Sequence, residues 1–167
     1  MNGKGGDLKS RFHTARIIHG ALMASVPVYA LIVALMSGNA EFMAGLQNDP
    51  PHYAIFKYAL YGIGLSVFFV ILYLRRSILT GRGGMDHLNR THSDRFLYLA
   101  LVTASLCGMV AVLGLMAFFL YKVAADSYLL MVLSLLYFSY FFPRFPQWET
   151  WAREYPLAPP LAPDGER

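Results

Sequence analysis

The side chains able to bind a cofactor or move a proton are few in this chain of 167 residues. His19 is the first. It stands one helical turn after Arg16, and an imidazole there can ligate haem iron or bond a quinone, with Arg16 beside it. A haem b held by two histidines needs both imidazoles at one depth on facing helices. His13 meets that need only if the amino-terminal segment folds back, so a partner subunit is expected to supply any second ligand. Lys57 lies about one turn inside its own apolar stretch, where its stem lets the ammonium snorkel outward. Asp86-His87 and His92-Ser93-Asp94 bring imidazoles and carboxylates together within one loop. Metal ligation needs a rigid frame, and Gly81, Gly83 and Gly84 work against one, so a solvated loop is expected. Gly81-Arg82-Gly83-Gly84 lacks the GK[ST] ending of a phosphate-binding loop. Cys107 is the single cysteine, which leaves neither an intrachain disulfide nor a CxxC metal site, and a small packing residue is the expectation.

The elements that must position these groups are membrane helices. Four apolar stretches, about 15–36, 53–74, 96–121 and 123–142, take up most of the chain, and each approaches or exceeds the ~17–25 residues a helix needs to cross the hydrocarbon. None carries an acid near its middle. A hydrophobic fraction of 56% with 14% charged residues excludes an ordinary soluble domain. The net charge of +4 does not imply nucleic acid, because the basic residues flank the apolar segments instead of forming a separate basic face.

Those flanks give an expected topology. Lys4, Lys9, Arg11 and Arg16 precede the first stretch, and Arg75, Arg76, Arg82, Arg90 and Arg95 fill the loop between the second and third. Both regions are expected in the cytoplasm by the positive-inside rule. Glu41, Asp49 and Asp126 mark the opposite side. Four crossings then place both termini inside, in a membrane expected to be a bacterial inner membrane. The Asn89-Arg90-Thr91 sequon falls on the inner side and carries no weight. The first stretch exceeds the apolar core of a secretory signal, so it is expected to be retained.

Residues 1–14 are polar and glycine-bearing and read as a flexible lead-in. Within the 15–142 domain, small residues mark faces for close helix contact: Gly20 and Ala24 on the first helix, Gly62 and Ser66 on the second, and Ala100, Ala104, Gly108 and Ala111 on the third. Pro27 interrupts the first helix, with the Ser25 hydroxyl close enough to satisfy a freed carbonyl. Asp49-Pro50-Pro51 and Ser93-Asp94 read as helix starts. Ala124-Ala125-Asp126-Ser127 reads as a tight turn between the third and fourth helices. A re-entrant hairpin is the rival reading of the fourth. After Pro143 a short helix with Phe145, Trp148, Ala152 and Tyr155 on one side, flanked by Trp151, is expected to lie in the interface plane, followed by a proline-rich tail. Arg75, Arg76, Trp148 and Trp151 are the expected interface anchors.

The expected fold is therefore all-α: a polytopic membrane protein with four transmembrane helices as two antiparallel hairpins, and a short carboxyl-terminal interfacial helix that shares 143–167 with the proline-rich tail. An ion path or proton pump needs an ionisable group at depth, and the carboxylate of a rotary-ring subunit is missing. The expected role is an accessory or scaffold subunit without catalytic activity of its own, in contact with lipids and with other membrane subunits or copies of itself. The alternative is a redox-complex anchor with a haem or quinone pocket at His19 and Arg16. A small transporter or channel ranks below both.

Overall fold

The computed structural model describes residues 3–39, 52–79 and 92–154, and all regular structure among them is helical. The helices are α1 (Gly3–Ser37), α2 (Tyr53–Leu79), α3 (His92–Tyr121), α4 (Ala124–Tyr140) and α5 (Phe145–Glu154). Three segments are long and apolar enough to cross a membrane: Lys9–Ser37, Tyr53–Ile78 and Asp94–Tyr121. A fourth crossing depends on α4 and α5, which meet at a 59° bend. At 1.5 Å per residue, α4 alone reaches only about 25 Å.

Contacts between named residues fix the helix directions. Ala15 of α1 shares a cluster with Phe96 of α3, so these two helices begin at the same end of the bundle. Lys57 of α2 meets Asp126 of α4, and further along both helices Phe68 meets Phe141. Thus α2 and α4 run together, and α3, which turns back into α4, runs against them. Both α1 and α2 pack on the α3–α4 pair. The small-residue face of α3 makes that pairing possible: Ala104, Cys107, Ala111 and Gly114 are buried. Ala100 lies partly buried beside Ala15 and Phe96, and Gly108 faces the Phe138 ring. Because lipid tails are as apolar as leucine, close van der Waals contact and interhelical hydrogen bonds hold such a bundle together. Ser134 Oγ donates to the Cys107 carbonyl at 2.7 Å, and Tyr137 OH donates to the Gly64 carbonyl at 3.1 Å. Large apolar side chains such as Leu35, Ile55, Phe69, Met116 and Leu136 face outward, as they must against hydrocarbon.

Several boundaries differ from those read off the sequence. The backbone of α1 is helical from Gly3, through residues that carry no apolar period of their own. Arg11 on this upstream extension pairs with Asp94 of α3 at 3.1 Å, and Phe12 stacks on Phe145 and Trp148. The chain reverses between α3 and α4 at Lys122–Val123, not at 124–127. Lys122 takes the left-handed conformation, φ 59°, and its N–H returns to the Phe118 carbonyl at 2.7 Å, which ends α3 and leaves Asp126 in the first turn of α4. The helix α3 starts at His92, which places Asp94 in its first turn, where a carboxylate suits the helix dipole. Helix α1 continues across Pro27. The Ser25 hydroxyl donates to the Leu22 carbonyl at 2.7 Å, one residue short of Met23, whose carbonyl the proline leaves free. The Asp49-Pro50-Pro51 cap, the Asp86-His87 pair and the proline-rich tail lie outside the described residues.

Candidate functional site

Two groups of polar side chains stand at the two ends of α4. At its amino end, Tyr53, Lys57 and Tyr61 recur every four residues along α2 and so share one face. All three converge on Asp126. Lys57 Nζ lies 2.9 Å from Oδ1, Tyr61 OH donates to the same oxygen at 2.6 Å, and Tyr53 OH donates to Oδ2. The carboxylate is thus fully engaged, with 14% of its side chain exposed. A cleft of ≈ 10 Å³ beside it, walled by Phe56, Leu60, Ala117 and Leu130, has room for about one water molecule and no larger ligand. Chemically this is a saturated ion pair that ties α2 to α4. Lys57 does not extend outward alone as its position suggested.

At the carboxyl end of α4 stands His19, 1% exposed. Its Nε2 is 3.0 Å from the Phe138 carbonyl. A carbonyl can only accept, so Nε2 carries the proton. That carbonyl belongs to the last turn of α4, where no intrahelical donor remains, and His19 caps it from a neighbouring helix. The Phe138 and Phe142 rings stand edge-on to the imidazole at 5.0 and 5.3 Å. With Nε2 protonated, neutral His19 turns its Nδ1 lone pair into the interior, and Nδ1 has no hydrogen-bond partner among the described residues. His13, on the same helix but exposed, is not brought to it.

Two arginines flank this end. The Arg16 guanidinium lies over the Phe12 and Phe142 rings at 5.8 and 5.9 Å, and that of Arg75 over Phe141 and Trp151 at 5.0 and 5.4 Å. Positive charge here complements the negative end of the α4 dipole. Arg75 is within electrostatic range of both His19 and Cys107, and its Nε is buried without a hydrogen-bond partner. Arg76, its neighbour, is exposed.

Trp148 and Trp151 complete this end in a way the expected interfacial helix did not anticipate. Trp148 is 2% exposed, stacked on Phe12 and Phe96, and Trp151 contacts Phe96 and Arg75. The indoles dock α5 onto the bundle. Their partner Phe12 sits on the upstream extension of α1, which the sequence pattern did not reveal. The small-residue faces divide. On α3 they are spent inside the bundle, whereas Ala24, Gly62 and Ser66 are exposed, and Gly20 and Gly62 have open space where a Cβ would stand. Among the described residues, no three His, Cys, Asp or Glu side chains converge as a metal site. Cys107 is fully buried. No family model, no curated protein and no solved structure matches this chain.

Proposed function

We propose that the chain is a structural subunit of a larger membrane assembly, formed with other membrane subunits or with further copies of itself, and has no catalytic activity of its own. In this reading it crosses a bacterial inner membrane four times as two antiparallel hairpins, with both termini cytoplasmic and α4 completing the last crossing. One observation carries the reading. Glycine costs a helix about 0.5–1 kcal/mol relative to alanine, yet Gly20 and Gly62 gain no close approach among the described residues, where a Cβ would meet nothing within 4 Å. Helices of other chains are the packing partners that such open glycines suit.

The test is extraction in mild detergent followed by native electrophoresis and identification of what migrates with the chain. Migration only as a small free species would end the proposal. Replacing Gly62 with Leu should dissociate the assembly while leaving the isolated bundle folded.

A second reading, a redox-complex anchor with a haem or quinone at His19, draws support from the unpartnered Nδ1. Against it, Nε2 is already spent on Phe138 and aromatic rings close over the imidazole. The absorption spectrum of the purified assembly tests the haem version, and absence of a Soret band removes it. For a quinone, unchanged occupancy after His19→Leu would do the same.

A further inference from the structure

The elbow between α4 and α5 holds cationic groups that the bundle itself does not neutralise. Arg16 and Arg75 have no carboxylate partner among the described residues. Asp94, the acid of α3 at this end, is taken by Arg11, and Glu149 faces outward on α5. Each guanidinium lies over two aromatic rings, 5.0–5.9 Å from their centres, and is held there by cation–π attraction. Arg75 is the more enclosed, with a buried Nε that lacks an acceptor among the described residues. Leaving a buried guanidinium N–H unpaired is costly, and an acceptor supplied from outside the chain relieves that cost. Arg144, exposed in the link itself, adds a further positive charge.

Depth identifies the acceptor. Arg16 lies near the start of one membrane-length segment and Arg75 near the end of another, and α5 turns 59° away from α4 between them. Groups at this level meet lipid headgroups rather than hydrocarbon or free solution. A guanidinium fork matches the oxygens of a phosphodiester, and its charge requires a net-negative lipid. We propose that the α4–α5 elbow is a binding site for an anionic glycerophospholipid, whose headgroup phosphate is held by Arg75 with Arg16 and whose acyl chains lie along the exposed apolar faces. This site is independent of whether the chain has partner subunits.

The test uses the full-length protein in nanodiscs of phosphatidylcholine containing a minor fraction of phosphatidylglycerol, with lipid retained after detergent exchange read by native mass spectrometry. Wild type should retain phosphatidylglycerol in preference to phosphatidylcholine. Arg75→Gln and Arg16→Gln should each lower that preference about fivefold, the equivalent of ~1 kcal/mol per basic side chain near the surface. Arg75→Lys, which keeps the charge and loses the fork, should fall between. Lys9→Gln, exposed two helical turns before Arg16 on α1, should change little. An equal loss in Lys9→Gln would overturn the site in favour of diffuse attraction. Displacement of the lipid by millimolar inorganic phosphate would assign the arginines to a soluble anion. Unchanged lipid retention in the folded double variant, with loss of a co-purifying protein, would assign them to a carboxylate of a partner chain.

Discussion

Gly114→Ala adds one methyl group where α3 and α4 pack tightly against each other. A Cβ built there stands 3.0 Å from Leu130 Cβ and 3.0 Å from the Ser127 carbonyl oxygen, with Ser127 Cα at 3.7 Å. Neither near atom is the free end of a side chain, so rotamer change cannot relieve the contact and the helices must separate. Overpacking of this kind costs about 1–3 kcal/mol. With both contacts against atoms that cannot swing away, the upper part of that range, about 2–3 kcal/mol, applies, and after alanine returns up to ~1 kcal/mol of helix propensity a net destabilisation of about 1–2 kcal/mol remains. The separation should also weaken the bond from Ser134 Oγ to the Cys107 carbonyl on the same helix pair. The assay is reversible unfolding in mixed micelles, with Gly62→Ala as the comparison, because nothing meets a Cβ at position 62. In the dissociated chain Gly62→Ala should be neutral or stabilising. If Gly114→Ala unfolds at or above the wild-type midpoint, the close approach of α3 and α4 is wrong.

Asp126→Asn removes the charge that gathers Lys57, Tyr53 and Tyr61, and should loosen α2 from α4. Hydrogen exchange should rise in the first turns of α2 and stay unchanged around His19; uniform protection would refute the tie. His19→Leu leaves the Phe138 carbonyl without its donor and should cost about 1–3 kcal/mol in the same unfolding assay. Cys107, fully buried, should resist maleimide in the folded protein and react once the bundle is denatured. Rapid labelling under native conditions would contradict its place between α3 and α4.

Helix positions were readable because apolar length alone separates a membrane span from a soluble helix. The face of α3 was readable too, since small residues at three- and four-residue spacing leave room for only one kind of contact. Gly114, which continues that face, is the glycine whose Cβ would meet the tightest contacts, and it did not stand out in the sequence. The Asp126 cluster was partly visible: Tyr53, Lys57 and Tyr61 share a helix face, but the register that sets them against Asp126 belongs to the pairing of α2 with α4. Nothing local encodes that register. The bond from His19 to Phe138 was invisible for a different reason, because its acceptor is a backbone carbonyl and leaves no residue-type signature. Trp148 was expected among lipid headgroups, the usual place for an indole at a membrane boundary. Its burial depends on Phe12, on a stretch of α1 that becomes helical through contacts with α3 and α5 rather than through its own composition.

The shortness of α4 bears on the membrane as much as on the protein. Its 17 residues extend about 25 Å, while α3 beside it has 30 residues and extends about 45 Å, against hydrocarbon about 30 Å thick. If α4 completes a crossing, as proposed above, the bilayer on its side must thin by several ångströms or let the aromatic elbow sink. On the α3 side it can keep its thickness. Such a mismatch costs a fraction of a kcal/mol per ångström along the lipid boundary. Under that proposed crossing, covering the thin side with another helix would remove the cost, and a thicker bilayer would raise it.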